Sequence, residues 1–342
     1  MPRSGGQTVR LAVDAAGGDR APDAILAGVA SSLAADDGLL VVLLGPAEVV
    51  VPFAEAHERV EPHPTTEVIG MDEHPASAIR SRSDSSIVVG ARLLKEGAVD
   101  AFFSAGNTGA MTAAGTLVTG RIAGVSRPAI ATVLPTSAEP VVLLDAGANA
   151  DVKPAYLVQF AHMGAAYARA ALGVTSPRIA LLSIGEEATK GNELTVEAHA
   201  LLRDVPGFVG NIEGRDIPAG VVDVVVTDGF TGNVVLKLME GLSSAFFSEL
   251  RGVVGGGLAT RLAGAVLRPG LARLHDQLDP DATGGAPLLG IEGVMLIGHG
   301  SSGPRAVGNA LRVGATAVRG DLVGTIRRAL SSPPGQGAAI HP

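Results

Sequence analysis

"VDVVVTDGFTGN" occupies residues 222–233, and "VDAFFSAGNTGA" occupies 99–110. Both follow the pattern V-D-x-x-x-[S/T]-x-G-x-T-G. Each is a short apolar run that ends in a small, glycine-broken turn and gives way to a helical pattern. Runs without in/out alternation, bounded by glycine or proline, read as strands buried on both faces. Six more share that character: "VRLAVDA" (9–15), "GLLVVLLG" (38–45), "AIATVLP" (129–135), "PVVLLDAG" (140–147), "RIALLSIG" (178–185) and "GVMLIGHG" (293–300). Helix-length segments such as "APDAILAGVASSLA" and "AYLVQFAHMGAAYARAAL" lie between several of them. The alternation predicts an α/β fold with a mostly parallel sheet, helices on both faces and right-handed crossovers.

In such sheets ligands bind beyond the carboxyl ends of the strands. Nearly every strand here exits into polar or glycine residues: Asp14 to Asp19, Gly106 to Gly109, Asp145 to Asn149, Gly185 to Glu187, Asp228 to Asn233 and His299 to Ser302. If the strands are parallel, these exits converge on one edge and form a shared cleft. The twice-used turn suits an anion such as phosphate. Glycine lets the backbone come close, Thr or Asn supplies side-chain donors, and the following helix offers unpaired N–H groups at its positive end. Ordinary strand-to-helix capping would leave the same pattern. Two copies suit either two anionic groups on the substrates or the two halves of a duplicated lobe. No P-loop sequence is present, and the single G-x-G-x-x-G match, "GHGSSG" (298–303), is by itself only a weak signal for a dehydrogenase.

"SIGEEATKGNEL" (183–194) places Glu186, Glu187, Lys190 and Asn192 just after a buried strand. A lysine beside the cleft could neutralise an anion or a developing oxyanion. The plain alternative is a Glu186–Lys190 helix pair. Of the eight histidines, His299 is the one at a strand end, and none are paired at metal-ligand spacing.

The 342 residues are 46% hydrophobic and 18% charged, which describes a globular chain with a large core. A net charge of −8 argues against nucleic acid as the main partner. The absence of cysteine excludes disulfides, thiolate metal sites and a cysteine nucleophile. No G-x-S-x-G elbow occurs, so covalent catalysis has little support. No apolar run reaches the roughly 20 residues of a membrane span and no secretory segment opens the chain, so the expectation is a cytoplasmic protein. From Arg251 to His275 the chain carries four arginines and no carboxylate. Amphipathic helices over 244–280 are expected there, with Gly255, Gly256 and Gly257 permitting a break. Arg251, Arg261, Arg268 and Arg273 would face an acidic carrier or anionic lipid. The expected organisation is one two-lobed α/β catalytic domain over 1–330 and a flexible tail over 331–342.

"AVDAAGGDRAP" (12–22), "VIGMDEHP" (68–75), "SAGNTGA" (104–110), "RPAIATVLPT" (127–136), "LLDAGANADVKP" (143–154), "GEEATKGNEL" (185–194), "NIEGRDI" (211–217), "DVVVTDGFTGNVVLK" (223–237), "GGAPLLG" (284–290) and "HGSS" (299–302) together resemble the phosphate acyltransferases of bacterial phospholipid synthesis. The likeness runs from about residue 9 to 330. Ala16, Arg20, Val152 and Gly303 stand where that family usually has Met, His, Cys and Asp. The resemblance implies a Rossmann-like α/β/α sandwich similar to phosphotransacetylases and the isocitrate dehydrogenase superfamily, acting without metal or organic cofactor. It also implies a cytoplasmic homodimer loosely attached to the membrane. The activity it implies is transfer of a fatty acyl group from acyl carrier protein to inorganic phosphate, for use by a glycerol-3-phosphate acyltransferase. On that basis phosphate is expected on the Gly106, Asn107, Thr108 and Gly109 turn and on backbone near Gly17, Gly18 and Asp19. Lys190 would stabilise phosphate or the oxyanion, with Asn192 and Asn233 donating hydrogen bonds. Asp228 and Asp145 would orient these groups, and Asp14, Asn149, Glu186, Thr231 and His299 complete the expected site. Three rivals remain: a phosphotransacetylase acting on acyl-CoA, a non-catalytic membrane scaffold and, third, a dehydrogenase.

Overall fold

The computed structural model describes residues 7–255, 257, 264–272, 274 and 284–331. Among them are strands β1 (Val9–Asp14), β2 (Leu39–Gly45), β3 (Val60–Pro64), β4 (Ala101–Ser104), β5 (Ala129–Leu134), β6 (Val141–Leu144), β7 (Ile179–Leu182), β8 (Phe208–Ile212), β9 (Val224–Val226), β10 (Ala286–Leu289) and β11 (Val294–Ile297). They form one sheet in the order β3-β2-β1-β4-β11-β10-β5-β6-β9-β7-β8. All eight apolar runs singled out in the sequence are strands. The three others have weak sequence signals: β3 carries Pro62 and Pro64 at one sheet edge, β8 is the other edge strand, and β10 has four residues.

Strand direction reverses in the middle. β10 is antiparallel to both β11 and β5, and β5 is antiparallel to β6, while the remaining pairs are parallel. β1 to β5 and β11 therefore point one way, and β6 to β10 point the other. The exits do not converge on one edge; they divide between two opposite edges. The physical reason is the short link from Leu134 to Val141, too short for the helical crossover a parallel pair needs, so β5 and β6 form a hairpin.

Helices α1 (Asp23–Ala35), α2 (Ala47–Glu55), α6 (Pro154–Leu172), α7 (Glu193–Leu202), α9 (Pro304–Arg319) and α10 (Leu322–Ser331) contribute to one apolar cluster that spans both lobes. On the opposite face, α3 (Pro75–Ser81), α4 (Ser86–Lys95) and α5 (Thr108–Ala114, continued as a π-turn over Gly115–Thr119) pack on the first lobe. The long α8 (Gly229–Gly255) packs on the second. This face has two clusters. Ile130 of β5 belongs to one and Leu134 to the other, and the half-buried Thr132 lies between them. β5 thus marks the boundary between lobes.

Residues 244–255 are the second half of α8 and not the start of a separate helix, and α8 ends at Gly255. Residues 264–272 are helical, and Arg251 and Arg268 are exposed. Arg261, Arg273 and tail residues 332–342 lie outside the described residues.

Candidate active site

At the first edge, β1 delivers Asp14, which is 1% exposed. The Ser104 hydroxyl at the end of β4 donates to Asp14 Oδ2 at 2.7 Å, and the Ala16 N–H donates to Oδ1 at 2.9 Å. Ser86 and the Gly17 N–H add further bonds. A Cβ on residue 17 would lie 2.5 Å from Asp14 Oδ2 and 2.8 Å from the Gly106 nitrogen, so glycine is required there. The Asp19 N–H donates to the Gly300 carbonyl at 2.7 Å, tying the exits of β1 and β11 together beside Gly18. The exposed His299 Nδ1 faces Ser301 Oγ at 2.8 Å.

The second edge repeats the device. β6 leads into the fully buried Asp145. Its Oδ1 accepts the N–H groups of Ile130, Gly147 and Ala148 at 3.0, 3.0 and 2.9 Å. Its Oδ2 accepts the Asn149 N–H and Nδ2, each at 2.8 Å. Leu144 pairs with Val226 of β9 in the register in which Val13 pairs with Phe103 of β4. Each lobe thus sets an aspartate-ending strand beside a strand that carries the glycine turn. Burial pushes both carboxyls above the ordinary 3.8, against the pull of the donors around them.

The two turns differ in what they leave free. Asn107 caps α5 by accepting the Ala110 N–H at 2.9 Å, and its Nδ2 faces the carbonyls of Gly70, Met71 and Glu73 at 3.0, 3.1 and 3.3 Å. A Cβ on Gly109 would meet Pro75 Cγ at 2.5 Å. The "VIGMDEHP" loop therefore clamps this turn and commits the Asn107 side chain to protein, while the exposed Thr108 hydroxyl has no partner among the described residues. Thr108 leaves its carbonyl to the Thr112 hydroxyl at 2.9 Å. In the second lobe Asp228 accepts the Thr231 N–H and hydroxyl, both at 2.8 Å, and so caps α8. Asn233, one turn further, is exposed, and its side chain has no hydrogen-bond partner among the described residues. It lies against Gly147, where a Cβ would be 3.7 Å from Asn233 Cβ.

Lys190 sits in the loop between β7 and α7, which is not helical, so the Glu186–Lys190 helix pair does not form. Its N–H donates to the Glu187 carbonyl at 3.0 Å and its own carbonyl accepts from Ser183 at 3.1 Å. The side chain is exposed and forms no ion pair with Glu186, Glu187 or any other described residue. Asn192 caps α7 through the Thr195 N–H at 2.9 Å.

The sequence-predicted residues thus fall into two groups. Asp14, Gly17, Gly18, Asp19, Gly106, Asn107, Thr108, Gly109 and His299 share the first edge. Asp145, Asn149, Glu186, Lys190, Asn192, Asp228, Thr231 and Asn233 share the second. β4 and β7 are six places apart in the sheet, about 29 Å at roughly 4.8 Å per strand. One phosphate does not reach both the 106–109 turn and Lys190.

At the second edge, where the lobes meet, an open pocket of about 560 Å³ is lined by Thr112, Thr116, Arg121, Arg127, Asn149 and Tyr156, together with Ser126, Pro128 and Ala148. No described carboxylate lines it. The sequence did carry a signal for Arg127: an arginine immediately before the Pro128 that opens a buried strand. Arg121, Tyr156 and the two threonines have no comparable signal, because α5 and the 121–128 loop meet only in the folded chain. A shallower depression of about 450 Å³ lies over α3 beside His74, Ser77 and Arg80.

The family described as "Fatty acid synthesis protein" matches residues 9–324. A phosphate acyltransferase of Desulfitobacterium hafniense is 47% identical over 327 residues, covering 94% of this chain and 97% of its own. One from Heliobacterium modesticaldum is 47% identical over 325 residues, covering 93% and 97%. Among solved structures, a phosphotransacetylase from Streptococcus pyogenes superposes with a TM-score of 0.59 at 16% identity, covering 91% of this chain and 94% of its own. A branched-chain phosphotransacylase from Enterococcus faecalis gives 0.57 at 14%, covering 91% and 99%. These two share the α/β fold. With relatives this similar over more than nine-tenths of its length, the chain belongs to the phosphate acyltransferase family, described as fatty acid synthesis protein.

Proposed function

We propose that this protein moves a fatty acyl group from acyl carrier protein to inorganic phosphate, giving acyl phosphate. The observation that carries the reading is the family likeness over nearly the whole chain. The second edge, with an unpaired lysine and an unpaired asparagine, supports it with suitable chemistry. Phosphate is already a competent nucleophile towards a thioester, and a thiolate is a good leaving group. A phosphate oxygen bonds to the acyl carbon, the carbonyl electrons move to oxygen, and their return expels the carrier's thiolate. The enzyme's work is to align phosphate, to stabilise the oxyanion and to exclude water. Lys190 supplies positive charge and Asn233 a hydrogen bond, while Asp228 and Thr231 fix the start of α8 and Asp145 fixes the 145–149 loop. The first-edge network around Asp14 then frames α5 and does not touch the reacting atoms. No acyl-enzyme, metal or organic cofactor is part of this route.

The donor is tested by giving the enzyme long-chain acyl carrier protein or acyl-CoA and trapping acyl phosphate with hydroxylamine. The expected result is a higher kcat/KM for the carrier. The reverse order would make the protein a phosphotransacetylase acting on acyl-CoA. Exposed Arg251 and Arg268 support contact with an acidic carrier or an anionic membrane surface. No helix among the described residues is long and apolar enough to cross a membrane. Acyl phosphate is a reactive mixed anhydride, so a consumer at the inner face of the membrane, a glycerol-3-phosphate acyltransferase, suits a cytoplasmic protein held loosely there.

A homodimer belongs to the same proposal. Phe230, Val234, Leu238, Leu242 and Phe246 recur every four residues along α8, and each is more than half exposed. Such an apolar stripe suits a two-fold partner. The double substitution Leu238→Asp and Leu242→Asp is expected to convert the dimer to a monomer of 34.3 kDa in light scattering. A variant that stays dimeric would move the interface elsewhere.

A further inference from the structure

We propose that the phosphate of this reaction docks in the pocket where the lobes meet, held by Arg127 and Arg121, and not on the glycine turn at 106–109. The inference rests on the phosphate-acceptor reading above and gives that substrate a seat.

Charge is the first argument. The chain has 34 acidic against 26 basic residues, so an arginine would ordinarily find a carboxylate. Arg127 is exposed and makes no hydrogen bond or ion pair with any described residue. Arg121 has no ion pair among the described residues, and its guanidinium donates to the Ser126 carbonyl at 2.5 Å, which aims it along the 121–126 loop. Both line a pocket free of described carboxylates. Two guanidiniums with unfilled donors, facing one polar cavity, fit the tetrahedral oxygens of a phosphoryl anion.

Position is the second argument. The pocket wall at Ala148 and Asn149 belongs to the loop that Asp145 organises. Asn149 Nδ2 is committed to the Pro128 carbonyl and to Asp145, so it stiffens that wall and does not bind the anion. Gly147, in the same loop, lies beside Asn233, where an added Cβ would be 3.7 Å from Asn233 Cβ. Pocket and Asn233 therefore flank one short loop on the edge that also carries Lys190. The rival seat lies at the opposite edge on a seven-residue helix whose capping side chain is already used.

The test compares wild type with Arg127→Gln, Arg121→Gln and Arg127→Lys, measuring KM for phosphate, KM for acyl carrier protein and calorimetric binding of inorganic phosphate alone. Losing charge-assisted hydrogen bonds predicts a rise of about tenfold to hundredfold in the phosphate KM for each Gln variant. The carrier KM should stay flat, direct phosphate binding should weaken by a similar factor, and Arg127→Lys should fall between. A second arm titrates phosphopantetheine, the other phosphoryl group the reaction could bring. If the variants lose phosphopantetheine or carrier affinity instead, the pocket holds the donor's arm and the inference is wrong. An unchanged phosphate KM in active variants also overturns it. A wild-type protein that makes no acyl phosphate would instead overturn the functional reading beneath it.

Discussion

Replacing Lys190 with methionine is expected to lower kcat by about 10²–10³ while leaving the unfolding midpoint nearly unchanged. Both partners bring negative charge: phosphate as an anion, and the thioester oxygen as attack proceeds. Their approach in a drying cleft needs a fixed positive charge, because repulsion grows as the local dielectric falls. Lys190 is an exposed lysine on the edge that bears Asn233, and no described carboxylate neutralises it. Methionine keeps the aliphatic stem and removes the charge. Removing one preorganised stabiliser of an oxyanion typically costs this much in rate. Stability should hold, since surface changes away from packed features usually stay within about 0.5 kcal/mol. Stopped-flow turnover and thermal melting read the two quantities separately. Turnover within a few-fold of the parent, or early unfolding, would return Lys190 to an ordinary surface role.

The largest effect on stability is expected from Asp145→Ala. The carboxylate receives the main-chain N–H groups of Ile130, Gly147, Ala148 and Asn149 and the Asn149 amide, and it is fully buried. Alanine leaves those donors without their acceptor. At about 1–3 kcal/mol for each buried unsatisfied group, moderated by relaxation and water entry, the loss should be about 3–5 kcal/mol. Gly232 of α8 packs directly on the Asp145 carbonyl, so the start of α8 and the position of Asn233 should suffer together. Urea denaturation measures the loss, and less than about 1 kcal/mol would contradict the network. The pH dependence has a definite sign. Because burial raises the folded carboxyl above the ordinary 3.8, the proton-linked part of its stability is fully present below 3.8 and is lost as the pH rises through the folded value, while the N–H donors still bond the ionised carboxylate. That slope should be absent from the alanine variant.

The strands were legible because buried parallel strands are nearly continuous apolar runs, as "VVLL" in β6 and "AFFS" in β4 illustrate. Edge strand β3, with its two prolines, gave no such run. Direction was the larger difference. The short "PTSAEP" link from β5 to β6 is hairpin-length, and that spacing contained the information that the exits could not share one edge. Among the polar strand ends, Asp14 and Asn107 serve the backbone around them. Sequence cannot separate those roles, because a capping asparagine and a ligand-binding one sit at the same place in the same turn. Arg127 stood in the quoted "RPAIATVLPT" stretch, but that no described carboxylate pairs with it is visible only in the fold.

The most direct test of the central claim is a stoichiometric one. The protein is incubated with a long-chain acyl carrier protein and radiolabelled phosphate, and free carrier thiol is counted alongside hydroxylamine-sensitive label. Direct transfer predicts one labelled acyl phosphate for each thiol released, with no release when phosphate is omitted. Thiol release without labelled product, or no consumption of the thioester in the presence of phosphate, would contradict the account.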